Sequence, residues 1–252
     1  MKLLQPFWTR RRRSVRLLAL LAFRDERRYL PGWFVNVPPE VDGVVGLDDG
    51  STDGSADFVA AQPAVIALLR APQREPHVWD DGANHRRLAE AATALGADWV
   101  VGVDADERLE RGFGKRAREL VTARRAPRAF HLHVRELWDR PDRMRVDGIW
   151  GRKRSPRLFA ARPGAVFDER ALHGYWAPLD AREGDDYRQA DLYLYHRRMI
   201  RAEDREARRD KYRRLDPERR FQAIGYDYLT ESAGIEVVEL PAGRSYVPLE
   251  DP

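Results

Sequence analysis

The chain holds 252 residues, 43% of them hydrophobic and 34% charged, enough apolar material for one large core beneath a polar surface. Net charge is only +4 with the two signs interspersed, which excludes the one-sided basic face of a dedicated nucleic-acid binder. No apolar run reaches the roughly 18–20 residues of a membrane span, and the lack of cysteine excludes disulfides, thiolate metal sites and cysteine nucleophiles. The N-terminus, MKLLQPFWTRRRRSV, is basic but lacks the order of a signal peptide, so a cytoplasmic location is expected. Its Arg10–Arg13 run reads as a solvated tail, with peripheral contact to the anionic inner face of a membrane as the alternative.

The first half alternates strand and helix signals. Ser14–Phe23 is apolar and stops at charge, so it reads as a strand. Arg27–Val37 starts helical and is interrupted by Pro31 and Gly32. Val41–Leu47 is a second strand, Ser51–Gln62 a short helix behind cap-type residues, and Ala64–Arg70 a third strand. Asp81–Gly96 has helical spacing, with Leu88, Ala91, Ala92 and Leu95 on one face and Gly96 as its stop. Asp98–Asp106 is a fourth strand. Such alternation implies right-handed crossovers and a parallel sheet whose ligands bind beyond the carboxyl ends of the strands. Three strands end there in charge: FRDE, LDDGS and VDADE.

The second half is less regular. Phe113–Arg125 reads as a helix, Arg128–Trp138 as a strand, Gly148–Ala161 as loop then strand, and Arg188–Arg198 as containing a strand. Arg201–Leu215 is a highly charged helix, and Pro217–Glu231 a further helix. There is no repeat and no clean linker.

A strand must stop somewhere, and Asp, Gly and Ser stop strands well; Ser51 or Asp53 would also cap the next helix. Asp104 and Asp106, two apart at a strand end, suit a hard cation such as Mg²⁺ or Mn²⁺ completed by phosphates. An EF-hand is excluded because Leu109 stands where the loop needs glycine. His131 and His133 share a strand face, but the acidic motif already accounts for a metal. Trp150 and Trp176 read as core, with sugar or lipid stacking as the alternative. Arg152, Lys153, Arg154 and Arg157 read as a solvated loop, with an anionic ligand as the alternative.

The segments LLALLAFRDERRYL, VVGLDDGSTDGSADFV and GADWVVGVDADERL, in this order and spacing, resemble family 2 glycosyltransferases of the GT-A fold. The resemblance covers residues 14–110 well, and SPRLFAA and LYH extend it. It implies an α/β fold, a Rossmann-like mixed and mostly parallel sheet flanked by helices, over residues 14–200, with a C-terminal helical or irregular extension over 201–252 packed on the same domain. It implies inverting transfer of a sugar from a UDP-, GDP- or TDP-linked donor to a glycan or lipid-linked hydroxyl acceptor, as in cell-envelope polysaccharide synthesis, with no nucleic acid partner. Phe23, Arg24, Glu26, Asp48 and Asp49 would meet the nucleoside, with Asn84 and Arg87 on the bordering helix and Asp104 nearby. Asp104 and Asp106, joined by His196, would hold Mn²⁺ or Mg²⁺. Relatives carry an acidic pair or His-Glu for the base; here FDERALHGYW has Gly174 after His173, so Asp168, Glu169, His173, Asp185 and Asp186 stay as candidates, with Glu169 or His173 favoured. The rival readings are a catalytically degenerate nucleotide-sugar-binding module and a sugar-nucleotide pyrophosphorylase, whose glycine-rich loop AFRDERRYL lacks.

Overall fold

The structure is a computed structural model that describes residues 14–71, 77, 79–181 and 186–248. In chain order it contains β1 (Leu17–Phe23), α1 (Leu30–Asn36), β2 (Val44–Asp48), α2 (Ser55–Ala60), β3 (Val65–Arg70), α3 (Asp81–Ala94), β4 (Trp99–Gly102), β5 (Glu107–Leu109), α4 (Phe113–Val121), β6 (Ala129–Glu136), β7 (Arg143–Arg145), β8 (Arg154–Ala160), β9 (Tyr187–His196), α5 (Ala202–Leu215) and β10 (Val237–Glu239).

Eight strands form one mixed, mostly parallel sheet in the order β3-β2-β1-β4-β8-β6-β9-β5, and β7 pairs with β10 in a small second sheet. β3, β2, β1 and β4 are mutually parallel; β8 runs against β4 and β6, β9 parallel to β6, and β5 against β9. Helices cover both faces, so the α/β class and the mixed, flanked sheet are as the sequence implies.

β1 is buried along its whole length because successive side chains leave on opposite faces. Leu17, Ala19, Leu21 and Phe23 pack with Trp33 of α1 and Phe113 of α4. Leu18, Leu20 and Ala22 pack with Leu88 and Ala92 of α3 and with Trp176. Each buried Leu contributes about 1.5–3 kcal/mol, so this central strand fixes the sheet on which the loops sit.

Three local expectations change. Pro31 does not interrupt α1; it stands in the first turn, where its missing N–H has no helical partner to lose. The fourth strand stops at Gly102, and the chain turns through Asp104 and Asp106 into β5. Residues 217–231 form no helix beyond one 3₁₀ turn, Asp227–Leu229. Asp216 prevents it: its carboxylate accepts the backbone N–H groups of Arg220, Phe221 and Gln222 and the Tyr226 hydroxyl, folding the chain back. Residues after α5 return through β10 to β7 and bury Tyr246 against Leu137 and Tyr195. The Arg10–Arg13 run lies outside the described residues. Among the described residues no helix is long and apolar enough to cross a membrane.

Candidate active site

The loops after β1 and β2 are laced together by their own polar side chains. Asp25, with φ of 53°, accepts the Thr52 N–H at 2.7 Å and donates its own N–H to Ser51 Oγ at 3.1 Å. Glu26 N–H donates to Ser55 Oγ at 3.0 Å, and Arg27 N–H to Asp53 Oδ2 at 3.0 Å. Asp53 also accepts the first helical N–H of α2, from Ser55, at 2.9 Å. Much of DGSTDGS therefore builds the edge rather than touching a ligand, and Asp53 has the capping role that its residue type suggests.

The two aspartates ending β2 face inward. Asp48 accepts the Ser51 N–H at 2.9 Å and lines a polar cleft of about 500 Å³ shared with Thr52, Gly54, Asp57 and Arg70. Asp49 Oδ2 accepts from His77 Nε2 at 2.9 Å. Burial pushes the Asp49 carboxyl up, against the Asn84 amide and the Arg24 and Arg87 guanidinium groups. Arg24, Asp48, Asp49, Asn84 and Arg87 are thus brought together. Phe23 is not part of this group through its side chain, which is core, and its carbonyl is spent on Asp49 N–H. Glu26 is also elsewhere: its carboxylate binds Arg198.

Strand register assembles the second half of the site. β9 lies between β6 and β5, and His196 is paired in register with Glu136 on one side and Glu107 on the other. The buried Arg108 holds the turn before β5, donating to the Ala105 carbonyl at 3.0 Å and the Tyr29 carbonyl at 2.9 Å. In that turn Asp104 N–H donates to Glu107 Oε2 at 2.8 Å. Arg157 bridges Asp104, at 3.1 Å, and Glu107, at 2.8 Å. His196 Nε2 lies 3.1 Å from Asp106 Oδ2, while its Nδ1 contacts Glu136, which Lys153 holds in turn. Arg198 joins Asp106 to Glu26.

This cluster is electrostatically taut. Burial would lift the Asp106 carboxyl, but Arg198 and His196 hold it well below the usual carboxylate range. Burial would lower His196, yet Glu136 and Asp106 raise it to about 9. Burial pushes Glu107 up to about 8, against the opposing charge of Arg157.

The two carboxylates suit a divalent cation, and His196, whose Nδ1 is fixed by Glu136 as in metal-bound histidines, would join them on giving up the Nε2 proton that it shares with Asp106. Among the described residues no three carboxylate or imidazole groups are gathered around one point. Asp104 leans on Arg157 and Arg198 covers Asp106, so a cation would replace guanidinium contacts.

The base candidates separate by position. Asp186 contacts Arg128 before β6, at the opposite end of β6 and β9 from Glu136 and His196, so it is removed from the site. Asp185 lies outside the described residues. Asp168 accepts the Arg170 N–H, and its carbonyl lies where a Gly82 Cβ would stand, on the start of α3. Glu169 is exposed. His173, with φ of 60°, packs its ring against Tyr212 and Tyr226, and burial beside Arg208 lowers its pKa.

His131 packs on Tyr187, and His133 Nδ1 takes an Arg135 donor at 2.6 Å, which leaves that nitrogen no lone pair for a metal. Trp150 and Trp176 are buried, Trp176 stacked on His85 at 3.9 Å. Arg157 and Lys153 are not solvated loop but partners of the acidic cluster, whereas Arg152 and Arg154 stay exposed. Glu107, Glu136, Arg198, Arg208 and Asp81 escape a sequence reading because strand register and long-range ion pairs place them. The available signal was Glu136, a charge at the end of an apolar strand.

No protein-family model matches the chain. Uncharacterised proteins of Mycobacterium tuberculosis and Mycobacterium bovis are each 28% identical over 222 residues, 84% of this chain. The chain spans about half the length of these curated relatives, 54%. Among solved structures, glucosyl-3-phosphoglycerate synthase from Mycobacterium tuberculosis, in complex with Mn²⁺, uridine diphosphate and phosphoglyceric acid, is similar at 17% identity and a TM-score of 0.48, covering 79% of this chain and 78% of that one. A 4-diphosphocytidyl-2C-methyl-D-erythritol synthase is similar at 16% identity and a TM-score of 0.33, covering 58% and 76%. Likeness at this level says nothing about activity.

Proposed function

We propose that the chain is a nucleotide-sugar glycosyltransferase of the family 2, GT-A type that transfers a hexose with inversion to a hydroxyl of a glycan or lipid-linked acceptor, in cell-envelope polysaccharide synthesis. The observation that supports this most is one edge of one sheet. It carries a polar cleft of about 500 Å³ at Asp48 and, two strands along, the turn that bears Asp104 and the Asp106–His196 contact. In open α/β sheets ligands bind at that edge.

Asp48, Asp49 and Asn84 would accept and donate hydrogen bonds to base and ribose, with Arg24 and Arg87 facing the phosphates. Asp104, Asp106 and His196 would hold Mn²⁺ or Mg²⁺, which when bound offsets charge developing on the leaving diphosphate. Arg157 and Arg198 steady those carboxylates. An acceptor oxygen attacks the anomeric carbon as the bond to the nucleoside diphosphate breaks, and its proton passes to a base drawn from Asp168, Glu169 and His173. We favour His173 of the three, because the charges of Arg208 and Lys153 act both on it and on Glu136.

The test is release of nucleoside diphosphate from a panel of UDP-, GDP- and TDP-hexoses, with and without Mn²⁺. Metal-dependent release from one of them is expected. Binding of a donor without release under any condition would leave the degenerate binding module instead.

A further inference from the structure

The carboxylates of the cluster have their cations. Glu26 is held by Arg198, Asp106 by Arg198 and His196, and Glu136 by Lys153 and His196. Arg208, from the middle of α5, differs. Among the described residues its guanidinium pairs with no carboxylate. Its Nη1 lies 3.1 Å from His196 Nε2 and 3.4 Å from Nδ1, and the Tyr212 ring lies 5.6 Å away.

An imidazole that also serves two carboxylates is a poor partner for a guanidinium, whose five N–H groups seek oxygen acceptors. Arg208 is half-buried, so its guanidinium is open to a ligand and has no carboxylate to hold it. Nearby Glu136 and Asp106 attract it only through space. The position is specific: Arg208 stands at the nitrogen of His196 that faces Asp106, and Tyr212, one turn further along α5, packs against the rings of His173 and Tyr226. A ligand reaching from the nucleoside cleft across Asp104 and Asp106 would bring its distal phosphate there. A planar fork suits two phosphate oxygens.

We propose that Arg208 receives the distal phosphate of the nucleoside diphosphate leaving group, so that a helix outside the strand framework supplies one wall of the donor site. This rests on the transferase reading.

The experiment is calorimetric titration of wild-type protein, Arg208→Gln and Arg208→Lys with UDP, GDP and TDP, and with the monophosphate of whichever binds, all in Mn²⁺. Melting curves check that each variant is folded. The expected result is at least about 10-fold weaker diphosphate binding in Arg208→Gln, with monophosphate binding within about twofold and partial recovery in Arg208→Lys. Equal weakening for mono- and diphosphate would overturn the inference, because it would make Arg208 a structural prop. Unchanged diphosphate binding, with or without a raised KM for acceptor, would also overturn it and hand Arg208 to an acceptor anion. If wild-type protein binds no nucleoside diphosphate, the transferase reading falls and this inference with it. If wild type binds and Arg208→Gln matches it, only this inference falls.

Discussion

His196 Nε2 lies 3.1 Å from Asp106 Oδ2, although 90 residues separate them. The pairing of β5 with β9 makes the contact, and the pairing of β6 with β9 puts Glu136 behind it. The sheet's last three strands therefore assemble a polar cluster beside carboxylates delivered by the loop after β4.

Asp104 and Asp106 are not equivalent. The Asp104 side chain is 42% exposed, and its partner Arg157 keeps Glu107 if Asp104 is lost. Asp104→Ala is expected to keep its melting temperature within a few degrees and to lose at least about 100-fold in donor turnover, close to 3 kcal/mol of barrier. Asp106 is buried among Arg198 and His196. Removing it takes one partner from each cation, though Arg198 keeps Glu26 and His196 keeps Glu136, and costs about 1–3 kcal/mol of stability as well as activity. Melting curves and turnover measured together separate the two effects.

Glu136 works through His196. Glu136→Gln removes the carboxylate that fixes the imidazole and the partner of Lys153. Mn²⁺ affinity, measured by calorimetry, is expected to fall about 10–100-fold, the usual effect of losing an outer carboxylate. Unchanged affinity would mean that His196 does not hold the ion.

How much of this was legible varies along the chain. β1, β2 and α3 were plain because burial on both sheet faces gives continuous apolar runs, and a helix gives a 3.6-residue stripe. The Asp48–Asp49 and Asp104–Asp106 edges were plain because charge ends each run. The rest of the site was hidden, since no local pattern says that β9 enters between β6 and β5. Pro217–Glu231 misled because its helix-forming residues are overruled by the Asp216 carboxylate, a local competitor for backbone N–H groups.

Asp81 stands at the start of α3. It accepts Trp79 Nε1 at 2.5 Å and the Gly174 N–H at 3.1 Å, tying the loop around His173 and Gly174 to the helix. Burial pushes its carboxyl up to about 6, and Asp104 adds to the rise. The folded state thus binds this proton more tightly than the unfolded chain. The stabilisation is complete below about pH 4, where the unfolded aspartate is also protonated, and is lost as pH rises through 6. A shift of this size is worth at most about 3 kcal/mol. The melting temperature of Asp81→Asn is therefore expected to fall less between pH 4 and 6.5 than that of the wild type. Parallel curves would contradict the assignment.

Gly102 ends β4 beneath Trp176. A Cβ there would lie 2.2 Å from Trp176 Cδ2, and that ring is buried and stacked on His85. Gly102→Ala is expected to cost about 1–3 kcal/mol through overpacking, read by chemical denaturation. Because Asp104 is two residues on, donor turnover should fall with it.

In the proposed function the sheet edge holds a nucleoside diphosphate through the Asp48–Asp49 and Asp104–Asp106 pairs. The most direct measurement is a thermal-shift screen of UDP, GDP, TDP and CMP, each with and without Mn²⁺. A ligand that binds only the folded state raises the melting temperature by mass action. A shift is expected with one nucleoside diphosphate that appears or grows with Mn²⁺ and is lost in Asp104→Ala. No shift with any of the four, with or without the metal, would contradict it.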